Sequence, residues 1–297
     1  MSLSSLLKKE VTSGQPLRIV GTINAYCALM AEKIGHKALY LSGGGVAASS
    51  YGVPDLAITT LDNVLEDVRR ISGVSKLPLL VDADTGWGGA FNIAKTVTEM
   101  ERAGASAIHI EDQVSQKRCG HRPNKEIVST DEMTDRIKAA VDARKNTDFV
   151  IMARTDALAV EGINSALERS QACVEAGADM IFPEALTELS QYSIFSKSIN
   201  APILANITEF GATPLFKTTE LFQAGVQLVL YPLSAFRVMS KAAEVAYSTL
   251  LKADNQMNLL PEMQTRQELY NYLDYHKFEK KLDELFKSNS KNNEVGG

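Results

Sequence analysis

The sequence predicts a (β/α)8 TIM barrel, an α/β fold in which eight parallel strands alternate with helices. Eight short apolar runs, rich in Leu and β-branched residues, recur along the chain. Segments with helical spacing separate them, and several of these segments end at a glycine just before the next run. Continuous apolar runs are typical of parallel strands that helices cover on both faces. An open, doubly wound sheet is the alternative fold.

The predicted strands follow the apolar runs in order. They cover residues 19–23, 38–41, 77–81, 107–110, 149–152, 180–182, 203–205 and 228–230. Helical spacing is clearest over 93–103, 163–176 and 234–251. A glycine can take the left-handed conformation that ends a helix, and the candidates are Gly35, Gly104, Gly177 and Gly225. Repeated βα units of this kind predict right-handed crossovers between parallel strands.

The composition changes after residue 252, but no linker divides the chain. We therefore predict a single barrel domain over 1–297, in which 252–297 form a C-terminal helical extension. Within that extension, residues 264–275 have a helical pattern, and the polar stretch 280–297 is expected to fray.

Charge and composition exclude several classes of protein. The 297 residues include 36 acidic and 31 basic side chains, a net charge of −5, without a basic block. This balance argues against nucleic acid or a membrane surface as a partner. Three cysteines are too few for a disulfide framework and fit a reducing compartment. No apolar run has the length of a signal peptide or a membrane span, which predicts a cytoplasmic protein.

Polar residues follow nearly every predicted strand. The carboxyl ends of barrel strands form one rim, where this fold builds its active sites. Any one of these residues alone is explained as well by a strand or helix cap, but many carboxylates on one rim repel each other unless a cation lies among them. The set comprises Ser42, Asp82, Asp84, Glu111, Asp112, Arg154, Asp156, Glu184, Asn206, Thr208, Pro232 and Ser234.

Four of the carboxylates predict a metal site. Asp82 and Asp84 are two residues apart, so their side chains point the same way. Glu111 follows the next strand, and Asp55 either reaches the metal through water or caps a helix. Oxygen ligands suit Mg²⁺, with Mn²⁺ as a substitute, whereas the four histidines lack the spacing of a zinc site.

The segment 42–48, Ser-Gly-Gly-Gly-Val-Ala-Ala, formally fits a dinucleotide-binding fingerprint. That motif needs a helix that begins at once, and residues 49–54, Ser-Ser-Tyr-Gly-Val-Pro, are expected to interrupt one. We therefore favour a glycine-rich turn whose backbone N–H groups face a carboxylate or phosphate.

Cys119 lies in a strongly basic segment after the fourth strand, with Lys117, Arg118, His121 and Arg122 around it. Positive surroundings lower the pKa of a thiol, and a thiol tuned in this way can exchange a proton near neutral pH. The alternative is a solvated basic loop with an incidental cysteine. The other two cysteines, at positions 27 and 173, have apolar helical surroundings and are expected in the core.

This basic segment, Lys-Arg-Cys-Gly-His over 117–121, resembles the signature of the isocitrate lyase and phosphoenolpyruvate mutase superfamily. Its continuation, Arg-Pro-Asn-Lys over 122–125, is most similar to the branch that cleaves 2-methylisocitrate. The resemblance extends over nearly the whole chain, through segments 40–45, 82–88, 153–156, 182–184, 230–234 and 263–266. Isocitrate lyases proper are much longer and contain segments that this chain lacks.

The resemblance implies a barrel whose eighth helix packs against a partner subunit in a homotetramer. It implies Mg²⁺-dependent cleavage of (2S,3R)-2-methylisocitrate, a small tricarboxylate, into pyruvate and succinate, in the methylcitrate cycle of propionate catabolism. It places Asp84 on the metal, with Asp82, Glu111 and Asp55 reaching the ion directly or through water.

The resemblance also implies residue roles. Cys119 matches the catalytic acid, and Arg154 and His121 belong to the catalytic group. Tyr40 is the candidate base, although a packing role inside the barrel explains it equally well. The matching substrate-binding positions are Ser42, Gly43, Gly44, Cys119, Gly120, Arg154, Glu184, Asn206, Ile207, Thr208, Arg237 and Arg266. Without the resemblance, the last two are explained as surface salt-bridge partners.

Phe182, Leu230 and Pro232 are expected to form an apolar pocket for the substrate methyl group, a contact worth only ~1–3 kcal/mol of selectivity. Three alternatives compete with this hypothesis. One is a related lyase or decarboxylase that acts on isocitrate or another 2-hydroxy or 2-oxo acid. The others are a nucleotide-binding protein and a catalytically silent barrel that serves assembly.

Overall fold

The structure is a computed structural model that describes residues 1–122 and 124–293. Its strands are β1 (Leu17–Gly21), β2 (Ala38–Leu41), β3 (Leu79–Asp82), β4 (Ala107–Glu111), β5 (Val150–Thr155), β6 (Met180–Pro183), β7 (Leu204–Asn206) and β8 (Leu228–Tyr231). Every predicted strand is therefore confirmed, with ends displaced by a few residues.

These eight strands form one parallel sheet in the order β6-β5-β4-β3-β2-β1-β8-β7. A parallel bridge between Ile181 and Ile203 connects the two ends of this order. The Ile181 N–H also donates to the Pro202 carbonyl at 3.0 Å. The sheet is thus a nearly closed barrel, which confirms the predicted (β/α)8 class over the open sheet.

The helices alternate with the strands. They are α1 (Leu3–Val11), α2 (Ala25–Ile34), α3 (Gly43–Tyr51), α4 (Leu61–Ser72), α5 (Ala90–Ala103), α6 (Thr130–Ala143), α7 (Leu158–Glu161), α8 (Ile163–Glu175), α9 (Leu189–Ser198), α10 (Thr218–Gln223), α11 (Ser234–Lys252), α12 (Arg266–Leu273) and α13 (Tyr275–Asn293). Helix α2 ends at Gly35 with φ 106° and α5 at Gly104 with φ 99°, the left-handed conformation expected of these glycines.

Helix α3 corrects one expectation. It begins at Gly43, directly after β2, and continues to Tyr51, so residues 49–51 do not interrupt it. The Ser42 hydroxyl caps the helix by accepting the Gly45 N–H at 3.2 Å, which helps three successive glycines to form a first turn. The helix ends at Gly52, with φ 65°, so the interruption occurs one turn later than we predicted.

The core has two apolar layers. Side chains that point into the barrel, such as Ile19, Leu80 and Met152, form one cluster, and Leu7 and Val11 of α1 pack against it. Side chains that point outward from the strands pack against the surrounding helices and form the second cluster. Cys27 and Cys173 are buried and free, as expected.

The chain divides after Met239 into two compact units. The first contains the barrel, and the second contains α12, α13 and the greater part of α11. Helix α13 continues to Asn293, so helical structure extends beyond the start of the stretch expected to fray at 280–297; residues 294–297 lie outside the described part. Among the residues described, no helix combines the length and apolarity of a membrane span.

Candidate active site

A cavity of about 310 Å³ opens at the carboxyl ends of the strands. It brings together most of the predicted site: Tyr40, Ser42, Gly44, Asp55, Asp82, Cys119, Gly120, His121, Arg154, Phe182, Glu184, Asn206, Thr208, Pro232 and Arg237. The other predicted residues of the first unit are buried beside or below this wall: Gly43, Asp84, Glu111, Ile207 and Leu230. Arg266 is the exposed first residue of α12, in the second unit.

One lysine lies inside the predicted metal cluster. Lys117 Nζ is 2.6 Å from Asp55 Oδ1 and 2.6 Å from Asp84 Oδ1, and its side chain is only 4% exposed. The Gly43 N–H donates to Asp82 Oδ2 at 3.1 Å. A Cβ at Gly44 would lie 2.9 Å from Asp55 Oδ2. The glycines at the start of α3 therefore let the carboxylates approach the backbone.

The cluster contains carboxylates in different protonation states. Burial favours the neutral acid, but His109, Lys117 and Arg154 lower the pKa of Asp82 to about 2. Burial and the charge of Asp82 raise the pKa of Asp84 to about 6. Burial also raises the pKa of Glu111 well above its usual value. This environment favours a further cation, because a cation would stabilise the ionised forms of Asp84 and Glu111.

The donor atoms fit a hydrated hard cation. Both Glu111 carboxylate oxygens are buried and accept no well-aligned hydrogen bond, although Arg154 Nη1 lies 3.2 Å from Oε2. Within the described residues, no three His, Cys, Asp or Glu side chains are arranged to hold a metal directly. Mg²⁺ commonly binds through one or two carboxylates and keeps several waters, so this donor set fits Mg²⁺ better than a metal that needs an all-protein shell.

Arg154 connects three carboxylates from neighbouring strands. Its Nη1 lies 3.2 Å from Glu111 Oε2, its Nε 3.0 Å from Asp156 Oδ2 and its Nη2 3.3 Å from Glu184 Oε2. The guanidinium also lies 5.2 Å from the centre of the Phe182 ring. Each edge of the guanidinium is thus already directed at a carboxyl group, and these contacts fix the position of the guanidinium.

His121 is oriented from both sides. Its Nδ1 accepts the Ala212 N–H at 3.1 Å, so the proton of a neutral ring is on Nε2, which lies 3.0 Å from Glu184 Oε1. Burial raises the pKa of Glu184, but Arg154 and His121 outweigh burial and hold it well below its usual range. Glu184 is therefore an ionised anchor that contacts both the Arg154 guanidinium and the His121 ring.

The Cys119 thiol differs from expectation. We predicted that its basic neighbours lower its pKa, but burial raises it, and Asp55 and Glu184 act in the same direction. The neighbouring cations do not offset this effect, because Lys117 is directed at Asp55 and Asp84, and Arg118 and Arg122 are exposed. Cys119 is therefore a protonated thiol near neutral pH.

Tyr40 points into the barrel, and its hydroxyl lies 2.9 Å from His109 Nε2. The two rings are stacked, with centroids 5.8 Å apart. Burial raises the pKa of Tyr40 well above its usual value and lowers that of His109 to about 4. Both groups are therefore neutral at neutral pH, and the tautomer of His109 decides which of the two donates in this hydrogen bond.

A 2-methylisocitrate lyase of Vibrio cholerae serotype O1 is 65% identical over 294 residues, which cover 96% of each chain. The solved structure of 2,3-dimethylmalate lyase, described as a PEP mutase/isocitrate lyase superfamily member, is 32% identical, has a TM-score of 0.84 and covers 100% of this chain and 96% of its own. The family model for phosphoenolpyruvate phosphomutase matches residues 7–251. This chain belongs to the PEP mutase/isocitrate lyase superfamily.

A further superfamily structure contains a metal. It is a phosphonopyruvate hydrolase in complex with oxalate and Mg²⁺, 28% identical to this chain, with a TM-score of 0.83 and coverage of 94% of this chain and 97% of its own. The predicted resemblance is thus confirmed, and at least one related protein binds Mg²⁺.

Sequence reasoning missed the contacts of three residues at the site: Lys117 with the acidic cluster, Lys125 with the Gly120 carbonyl, and His109 with Tyr40. A signal for His109 was available in β4. Ile108 and Ile110 pack on the outer cluster and Ala107 in the inner one, so strand alternation places His109 beside Glu111 inside the barrel. The two lysines lie in a loop without periodicity, and no comparable signal marks them.

Proposed function

We propose that this chain cleaves the carbon–carbon bond of 2-methylisocitrate and releases pyruvate and succinate. One observation carries the proposal: a single cavity is lined by carboxylates, by the Arg154 guanidinium and by the Cys119 thiol. The Vibrio cholerae relative named 2-methylisocitrate lyase, 65% identical over nearly the whole chain, supports this choice within the superfamily.

Magnesium is the proposed cofactor, with Mn²⁺ as a substitute. Asp84, Asp82, Glu111 and Asp55 would hold it, directly or through water. When bound, Mg²⁺ supplies charge that stabilises oxyanions of a hydroxy acid and of the 2-oxo acid formed from it. Lys117 contacts Asp55 Oδ1 and Asp84 Oδ1, so its ammonium would compete with a metal ion for these two carboxylates.

The substrate is a tricarboxylate, and the chain offers several groups for its anionic ends. Ser42 and the first turn of α3 face the cavity, and a helix N-terminus stabilises negative charge. The Arg237 side chain is 43% exposed, and its contact with Glu209, at 3.6 Å, is longer than the contacts of Arg154. Arg237 is therefore more available than Arg154 to a substrate carboxylate. Asn206 and Thr208 line the same cavity.

The reaction needs a base and an acid. A base removes the substrate hydroxyl proton, the C–C bond breaks as the pyruvate carbonyl forms, and the electron pair remains on the carbon of the succinate fragment. The Cys119 S–H then donates its proton to that carbon, a role that suits a protonated thiol. Tyr40 remains our candidate base. Because it is protonated at neutral pH, it would have to pass its own proton to His109 Nε2 in the same step, which requires the His109 tautomer with its proton on Nδ1.

The apolar side of the cavity is proposed to receive the substrate methyl group. Phe182 and Pro232 line the cavity. Leu230 does not line it, but lies fully buried in the barrel interior, two residues before Pro232 in the chain. Phe182 is itself fixed by the Arg154 guanidinium and by an edge contact with the His109 ring at 5.2 Å.

The C-terminal helices support a homotetramer with an exchanged eighth helix, here α11. In the second unit, large apolar side chains remain exposed, among them Tyr247 (74%), Leu251 (86%) and Phe278 (71%). Partner subunits would cover them. A cytoplasmic location is also proposed, in agreement with three cysteines that form no disulfide.

A pyruvate-release assay tests the proposed function. The wild type should release pyruvate from 2-methylisocitrate much faster than from isocitrate, and EDTA should abolish release until Mg²⁺ is restored. Cys119→Ser should lose roughly 10²–10⁴-fold in kcat, the usual contribution of a general acid. Cys173→Ala, which removes a buried thiol of α8, serves as control. Full activity of Cys119→Ser, or equal turnover of the two substrates by the wild type, would contradict the proposal.

A further inference from the structure

The segment after β4 folds back over the cavity as a hairpin. We define the lid hairpin as residues 113–122 and 124–128. Gln113 and Ile127 form an antiparallel bridge at its base, where the Val114 N–H donates to the Glu126 carbonyl at 3.0 Å. Nearer the tip, the Gln113 side chain bonds both the N–H and the carbonyl of Arg118 at 2.9 Å. The lid hairpin therefore has an internal framework of its own.

Lys125 ties this framework to the barrel. Its side chain is 2% exposed, and its Nζ lies 2.6 Å from the Gly120 carbonyl and 2.6 Å from Asp156 Oδ1. Asp156 is fully buried just after β5, and its other carboxylate oxygen accepts from Arg154 Nε at 3.0 Å. A continuous chain of charge-assisted contacts thus extends from the tip of the lid hairpin to the Arg154 guanidinium.

Gly120 explains why this connection matters for the site. A Cβ at Gly120 would lie 2.4 Å from Arg154 Nη2 and 2.7 Å from Glu184 Cγ, so the lid backbone lies directly against the two groups. Cys119 precedes Gly120 and His121 follows it, and both side chains line the cavity. The position of the Gly120 carbonyl therefore sets where the thiol and the imidazole stand.

We propose that Lys125 is a positioning residue that latches the lid hairpin shut and so holds Cys119 over the cavity. Lys125 does not itself line the cavity and contacts no group that reacts; it acts through Gly120 and Asp156. Its effect on turnover rests on the proposed lyase function, whereas its effect on the lid hairpin does not. The competing explanation is that Lys125 only neutralises the buried Asp156 carboxylate.

The test uses the full-length protein and the variant Lys125→Met, which keeps the length of the side chain and removes its charge. The matched control is Lys138→Met, an exposed lysine of α6 whose side chain is 62% exposed. Two readouts need no catalysis: amide hydrogen exchange of residues 113–122, and the rate at which iodoacetamide alkylates Cys119 at pH 8, located by peptide mapping.

If Lys125 is a latch, these amides exchange at least tenfold faster in Lys125→Met than in the wild type, and iodoacetamide alkylates its Cys119 at least tenfold faster. The amides of β4 and β5 keep their wild-type exchange rates. Its kcat for 2-methylisocitrate falls at least tenfold with KM within threefold, since Ser42 and Arg237 still bind the substrate. Lys125→Arg, which keeps charge and donors, recovers most of the protection.

Exchange and alkylation within twofold of the wild type would overturn the proposal, as would faster exchange spread evenly over β4 and β5, which would indicate a purely structural role. If Lys125→Met does not unfold cooperatively, and so is not properly folded, Lys125→Gln replaces it, because glutamine retains one donor group. The same tenfold and twofold limits on exchange and alkylation then apply. Should the wild type release no pyruvate while Lys125→Met still frees the lid hairpin, the lyase function fails and the latch stands.

Discussion

The Nζ of Lys117 lies 2.6 Å from Oδ1 of Asp84, at the centre of the carboxylate cluster that we propose for Mg²⁺. The same nitrogen lies 2.6 Å from Asp55, so a buried ammonium bridges two proposed metal ligands. The lid hairpin that contains Cys119 thereby also supplies an ammonium group to the proposed metal site. We therefore expect cation binding and the position of the lid hairpin to be linked through this side chain.

This contact predicts competition between Lys117 and the metal. Removal of a buried positive charge from the cluster strengthens its attraction for another cation. We expect Lys117→Met to bind Mn²⁺ more tightly than the wild type by about tenfold, the equivalent of ~1.4 kcal/mol. Electron paramagnetic resonance of free Mn²⁺ measures this directly, with Lys138→Met as the control. Weaker binding by Lys117→Met would show that the ammonium assists the metal instead.

The raised pKa of Cys119 gives a pH dependence with a definite sign. Alkylation by iodoacetamide requires the thiolate, so the rate should keep rising with pH beyond the usual ~8.5 of a free cysteine. At pH 7 the folded protein should react more slowly than a free peptide of residues 115–126, which has the same neighbours without the burial. A plateau below pH 8 in the folded protein would contradict the burial argument.

Glu184 carries a stability prediction. Its carboxylate is 1% exposed and contacts Arg154 and His121, so Glu184→Gln leaves part of a buried charge uncompensated. We expect a loss of about 2–4 kcal/mol in the free energy of unfolding at pH 7, measured by urea denaturation. Glu244→Gln, which breaks the exposed pair with Lys241, is the control and should leave stability nearly unchanged.

The pH dependence of this loss follows from the lowered pKa of Glu184. A depressed carboxyl pKa stabilises the folded state above the unfolded value, near pH ~4.3, and that stability disappears as pH falls through the folded value. The difference between Glu184→Gln and the wild type should therefore be constant from pH 6 to 8 and shrink below about pH 4. A difference that grows toward acid would show that the carboxyl is protonated in the fold.

The barrel and the membership of the cavity were predictable because both follow from short-range patterns. An apolar run such as 107–110 is long enough to define a buried strand. Parallel connection alone brings the carboxyl ends of the strands, with residues such as Arg154 and Glu184, to one rim. The first turn of α3 was harder, because three glycines disfavour a helix and only the cap at Ser42 offsets that preference.

The pairing of charges was not predictable from the sequence. Lys117 is close to Cys119 in the chain, which led us to assign its charge to the thiol, and Lys125 was given no role. In the fold, both turn toward carboxylates contributed by other βα units, at Asp55, Asp84 and Asp156. Which partner a long flexible side chain selects depends on tertiary distances, and a loop without periodicity gives no indication of them.

The methyl pocket yields a prediction about selectivity. Phe182 is fully buried at the cavity wall between the Arg154 guanidinium and the His109 ring, so a larger ring there must project toward the substrate. We expect Phe182→Trp to reduce the ratio of kcat/KM for 2-methylisocitrate to that for isocitrate by about tenfold, within the ~1–3 kcal/mol that a methyl contact supplies. A thermal unfolding midpoint of Phe182→Trp equal to that of the wild type would show that the effect does not come from misfolding. An equal fall for both substrates would place the methyl group elsewhere in the cavity, because the added volume would then obstruct the part that the two substrates share.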